Sequence, residues 1–74
     1  MVESKLNEIF TAVLELGIDK INSEMSTDNT EQWDSIKHLM LMNTIEEEFN
    51  IQLNDEDLLN LTSYKAIKNR IEEK

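Results

Sequence analysis

Residues 33–49 read WDSIKHLMLMNTIEEEF, and the fold turns on how Trp33-Asp34-Ser35-Ile36 is taken. Asp34 is a strong N-cap residue, so a helix is expected to start at Ser35 and run to about Phe49. Helical periodicity brings His38, Leu41, Met42, Ile45 and Phe49 together as a buried face. Ile36 and Met40 point roughly the opposite way, beside Asn43 and Glu47. A second apolar pair next to Ser35 suggests a contact surface, although scattered apolar residues are also ordinary on protein surfaces. Ser35 stands in the first turn, near free backbone N–H groups and the positive end of the helix dipole. That is a favourable place to attach a phosphate ester.

Upstream of this helix, Val2, Leu6, Ile9, Val13 and Leu16 share one face with Phe10 at its edge, opposite Ser4, Glu8, Thr11 and Glu15. This is an amphipathic helix, with Gly17 expected to stop it. From Gly17 to Trp33 the chain is polar, and Ile18, Ile21 and Met25 are its only apolar pegs before Trp33. A connection of that length either crosses from one end of a bundle to the other or has a function of its own. Downstream, Asn50 to Asn54 connects to a short helix capped by Asn54 or Asp55 and running through Leu61. Ser63 caps a last helix from Tyr64 to about Glu73, with Tyr64, Ile67 and Ile71 on one face. The expected fold class is all-α: a small four-helix bundle of three longer helices and one short one, with a long loop between helices one and two. Residues 1–74 are expected to form a single domain.

Composition narrows the function classes. The chain has no Cys, which excludes a disulfide framework, a thiol nucleophile and a Cys-based metal site, and favours a cytoplasmic setting. It shows neither a signal peptide nor an apolar stretch near the ~20 residues that span a bilayer. Sixteen acids against seven bases leave a formal charge of −9. Such a balance argues against nucleic acid and anionic membranes and favours partners with basic surfaces. Glu46, Glu47, Glu48, Asp55, Glu56 and Asp57 form an acidic cluster without an intervening base, the best candidate for docking among the acids. No large apolar patch or heptad seam is visible, so a monomer is expected.

Catalytic chemistry finds little support. His38 is the only histidine, and the acids near Asp28 do not make a calcium loop, since Trp33 and Leu39 stand where Gly and Glu are needed. Ser35 and His38 have i, i+3 spacing, but a third member and a Gly-rich oxyanion loop are missing. Neither an enzyme nor a metal site is expected.

Asp34-Ser35-Ile36 at a helix start resembles the phosphopantetheine attachment motif of acyl carrier proteins. The tripeptide is weak alone, but Glu46-Glu47-Glu48-Phe49 resembles the end of the family's second helix. Leu53-Asn54-Asp55-Glu56-Asp57-Leu58 and Leu61-Thr62-Ser63-Tyr64, with Ile67 and Ile71, resemble its later segments, so the likeness spans essentially the whole chain. The resemblance implies a 4'-phosphopantetheine arm on Ser35, beside Asp34, holding acyl groups as thioesters. It implies as partners a phosphopantetheinyl transferase, an acyl-loading ligase or transferase, and downstream enzymes of fatty acid, lipid or specialised acyl biosynthesis.

By the same resemblance, partners meet Ile36, Lys37, Met40 and Glu47. An acyl pocket is lined by Leu41, Met42, Ile45, Leu53, Leu58, Leu61, Ile67 and Ile71. The family often has smaller residues where Leu58 and Ile67 stand, which implies a shorter or tighter pocket. Lys37 and Met40 occupy places where housekeeping carriers have acids, and Trp33 replaces a small residue, both of which favour a specialised, stand-alone carrier. His38 matches a position near the base of the arm. An amino-acid or polyketide-unit carrier remains an alternative. From a different class, so does an acidic helical inhibitor or immunity-type protein that uses Glu46 to Asp57 to plug a basic cleft.

A charge of −9 on so small a chain repels itself. The melting temperature is therefore expected to rise between low and moderate ionic strength, and an unchanged thermal denaturation curve would refute this.

Overall fold

The computed structural model describes residues 2–73. Four α-helices follow one another: α1 (Val2–Leu14), α2 (Ser35–Phe49), α3 (Asp55–Asn60) and α4 (Tyr64–Glu73), with a short 3₁₀ turn at Ile18–Lys20 inside the long loop. The chain is all-helical, as its periodicity indicated; the 3₁₀ turn was not anticipated. Helix α1 packs against both α2 and α4.

Helix α1 ends earlier than expected, and Gly17 is not its stop. Glu15 makes the turn in the left-handed region at φ 58°, while Gly17 is extended at φ −68° and ψ 153°. A non-glycine residue there costs roughly 1–2 kcal/mol. The turn redirects the chain so that Leu16, now outside the helix, packs back on the core. Leu6, Ile9, Phe10, Val13 and Leu14 form the buried face of α1, and Leu14 extends it beyond the expected stripe. In α2, Leu41, Met42 and Ile45 are buried, whereas His38 and Phe49 are only half-buried.

The remaining boundaries follow capping chemistry. Asn50 ends α2 in the left-handed conformation at φ 54°, and the Ile51 N–H donates to the Glu46 carbonyl at 3.2 Å. Asn54 and Asp57 form a reciprocal capping box at the start of α3. At α4 the Ser63 hydroxyl accepts from Ala66 N–H at 3.2 Å.

The long loop is laid across the bundle rather than left free. Met25 and Trp33 are buried. Thr27 N–H donates to the Thr62 carbonyl at 2.9 Å and Tyr64 N–H to the Met25 carbonyl at 3.0 Å, which fastens the loop to the entry of α4. Asn29 braces it from within, accepting from Ser26 N–H at 2.9 Å and donating to the Glu24 carbonyl at 3.0 Å. Phe10 joins loop and helices, its ring 5.3 Å from that of Trp33 in an edge-on pair and 5.2 Å from that of Tyr64. Such pairs add about 0.5–1.5 kcal/mol each beyond their buried area.

Tyr64 gives the fold an alkaline limit. Its buried hydroxyl donates to Asn7 Oδ1 at 2.6 Å, and burial, reinforced by Glu3, raises its pKa above 10.0. Lys68 is also raised, by its hydrogen bond to Glu3. Both shifts are upward, so their stabilisation is complete below pH 10 and disappears as the pH climbs through the folded values. Tyr64→Phe is expected to cost about 0.5–1.5 kcal/mol at neutral pH for the lost hydrogen bond and to flatten the alkaline decline. Urea midpoints measured between neutrality and high pH test this, and an equally steep decline in the variant would refute it.

Candidate functional site

The start of α2 is built by three consecutive residues with different tasks. Trp33 is buried at 2% exposure and anchors the loop. Asp34 caps the helix, its Oδ1 accepting from Lys37 N–H at 2.9 Å. Ser35 is left exposed in the first turn, on the positive end of the helix dipole. A negatively charged group on the Ser35 oxygen would gain about 0.3–1 kcal/mol there at low ionic strength.

Behind this turn lies a bridge that sequence reasoning did not find. Trp33 Nε1–H donates to His38 Nδ1 at 3.1 Å, and His38 Nε2 lies 2.7 Å from the Leu58 carbonyl. An indole nitrogen can only donate, so Nδ1 must accept and Nε2 must carry the proton that goes to Leu58. Both imidazole nitrogens are thereby engaged. The Ser35–His38 pair that spacing allowed is not assembled as a nucleophile and base, because His38 has no free lone pair to offer. The signal was present only as one Trp and one His, five residues apart across a helix start. Among the described residues, no group of three or more His, Asp or Glu side chains could hold a metal ion.

A cleft of about 350 Å³ opens beside Ser35, lined by Thr27, Trp33, Asp34, Ser35, His38 and Thr62. The larger hollow, of about 560 Å³, lies within the loop between Leu16 and Gln32 and does not reach Ser35. The cleft therefore belongs to the site, and the larger hollow does not.

The other candidate residues fall into distinct groups. Ile36 is 71% exposed and Met40 46% exposed, and Glu47 is on the surface as well. Leu39, not singled out from sequence, is 55% exposed and widens the apolar patch after Ser35. Lys37 is half-buried and leans to Glu15, with Nζ 3.1 Å from Oε2. Leu41, Met42, Ile45, Leu61, Ile67 and Ile71 are buried in the common core, and Leu53 and Leu58 pack half-buried against it. These eight residues thus share one apolar cluster.

The acidic cluster splits, contrary to its treatment as one docking surface. Glu46 Oε2 accepts from Leu53 N–H at 2.7 Å. Asp57 closes the capping box and pairs with Arg70 at 3.4 Å. Glu48 pairs with Lys5 at 3.3 Å. Glu47, Asp55 and Glu56 remain exposed. Cap, cleft and exposed hydroxyl thus meet at the start of α2.

Two comparisons bear on this site. The family model described as the phosphopantetheine attachment site matches residues 4–71. Comparison with the curated proteins finds no match.

His38→Ala removes the acceptor of a buried indole N–H, which costs about 1–3 kcal/mol. Faster hydrogen exchange at the Trp33 indole and a lower urea midpoint are the expected outcome. An indole that exchanges as slowly as in the parent protein would show that His38 does not hold it.

Proposed function

The chain belongs to the phosphopantetheine attachment-site family, and from that premise we propose that Ser35 carries the 4'-phosphopantetheine arm of an acyl carrier protein. Members of this family bear the group covalently, and carrier domains of this kind hold intermediates rather than transform them. The observation that carries the assignment to Ser35 is its exposed hydroxyl in the first turn of α2, with the cap already filled by Asp34. In the loading step Ser35 Oγ attacks the phosphorus of coenzyme A that bears pantetheine. The P–O bond to the adenosine 3',5'-bisphosphate half breaks, and the serine proton leaves to a base on the transferase.

The whole chain acts as one carrier domain, a monomer in the cytoplasm, and is not itself an enzyme. Its partners are a phosphopantetheinyl transferase, a loading ligase or acyltransferase, and acyl-processing enzymes. They read Ile36, Lys37, Met40 and Glu47 beside the attachment point. Leu41, Met42, Ile45, Leu53, Leu58, Leu61, Ile67 and Ile71 receive the acyl chain when the helices part. Each buried methylene returns roughly 0.8 kcal/mol against the opening of that core. Since Leu41 and Ile67 are fully buried and Met42 and Ile45 are 1% exposed, the core favours modest chains. Fatty acid or specialised acyl synthesis suits this apolar lining; an aminoacyl or polyketide unit would ride the same arm outside it.

Incubation with coenzyme A and a broad-specificity phosphopantetheinyl transferase is expected to raise the intact mass by one phosphopantetheine, and Ser35→Ala is expected to abolish the gain. A folded protein that gains no mass, or a variant that gains it equally, would overturn the assignment.

A further inference from the structure

Two regions near Ser35 differ in chemistry. The first is the apolar core behind α2, where Leu41 and Leu61 are buried and Leu58 of α3 packs against them. His38 links α2 to α3 one turn after Ser35, with Nε2 2.7 Å from the Leu58 carbonyl. The second is the cleft of about 350 Å³ that Ser35 itself lines, together with Thr27, Trp33, Asp34, His38 and Thr62. Its size falls within the roughly 300–1,000 Å³ of small-molecule sites. We infer that this cleft, between the end of the long loop and the α3–α4 connection, is the resting berth of the arm on Ser35 when no cargo is attached.

The inference rests on the carrier reading and adds to it where the arm lies. A pantetheine arm is a chain of two amides and a hydroxyl ending in a thiol, so it needs donors and acceptors along its length. Thr27 and Thr62 carry hydroxyls that do both. Trp33, buried at 2% exposure with its N–H committed to His38, forms a fixed wall of the cleft rather than an open face. The walls are preorganised, because Thr27 N–H donates to the Thr62 carbonyl at 2.9 Å and ties loop to connection. An arm that enters therefore orders little of the protein, which lowers the entropy it must offset. The only carboxylate on the cleft, Asp34, is held by Lys37 N–H as the helix cap. The His38 imidazole, with both nitrogens engaged, is a fixed part of the lining, and the threonine hydroxyls are the groups left to meet the arm.

The experiment compares apo and enzymatically loaded protein, with intact mass as an independent check that the arm is present. Beyond residues 34–37, the largest amide shifts in ¹⁵N–¹H correlation spectra are expected at Thr27 and Thr62 and at the Trp33 indole. The emission of Trp33, the only tryptophan, is expected to change on loading. Thr62→Val is expected to shrink the loaded-minus-apo difference at the indole, and Thr62→Ser, which keeps the hydroxyl, to retain it. Shifts concentrated at Leu53, Leu58 and Leu61, or confined to residues 34–37, would overturn the berth while leaving the carrier intact. No mass gain would overturn the carrier reading and the berth together.

Discussion

Trp33 has to bury its ring and satisfy its one N–H at the same time, and the placement of Ser35 depends on how it does both. The ring packs edge-on against Phe10 of α1, and the N–H goes to His38 one turn into α2. A residue immediately before the cap is thereby fixed at two points, one in the core and one on the helix it introduces. Asp34 follows with its own bond to Lys37 N–H, so the backbone entering Ser35 has little freedom. His38 extends the constraint to Leu58, whose carbonyl lies in the short helix α3. The long loop, α2 and α3 are thus joined through one imidazole.

Helix α3 shows why that link matters. It has no buried residue among its six, so apolar packing contributes little to holding it. Its ends are secured instead by polar contacts: the Asn54–Asp57 capping box, Arg70 reaching both Asp57 at 3.4 Å and the Gln52 carbonyl at 3.0 Å, and His38 on Leu58. Exposed ion pairs contribute about 0–1 kcal/mol each, so a helix held mainly by such contacts opens more easily than one held by a core. Helix α3 is therefore the least firmly packed of the four helices.

Much of this was legible in the chain itself. The bounds of α2 and α4 follow from Asp34 and Ser63 as caps, and Asn54 announces α3, because cap residues act through bonds only two or three positions long. The core faces followed in the main from periodicity, but Leu14 was missed where the stripe widens beyond Phe10, and His38 and Phe49, expected on the buried face of α2, are only half-buried. Three features were not legible, for related reasons. Glu15 takes the left-handed turn because Leu16 must return to the core, and that demand comes from packing. Lys37 meets Glu15, and Glu46 meets Leu53, across gaps in sequence that no local rule bridges. The Trp33–His38–Leu58 bridge requires knowing that the loop returns to the face on which His38 sits.

The Lys37–Glu15 pair changes how the surface beside Ser35 is read. Taken alone, Lys37 reverses the charge that the family resemblance leads one to expect two residues after Ser35. In the fold its ammonium lies 3.1 Å from Glu15, so the two present a nearly neutral pair at the end of α1. What remains at the head of α2 is apolar, with Ile36, Leu39 and Met40 exposed, and Glu47 farther along the helix. Under the proposed carrier function, the net charge of −9 acts mainly at a distance, drawing in a basic partner and setting its encounter rate. On the same reading, apolar fit around Ser35 decides the contact itself. On that proposal, long-range steering and short-range recognition fall to different residues, and Lys37, already paired with Glu15, can differ from the acid of housekeeping carriers without repelling a basic partner.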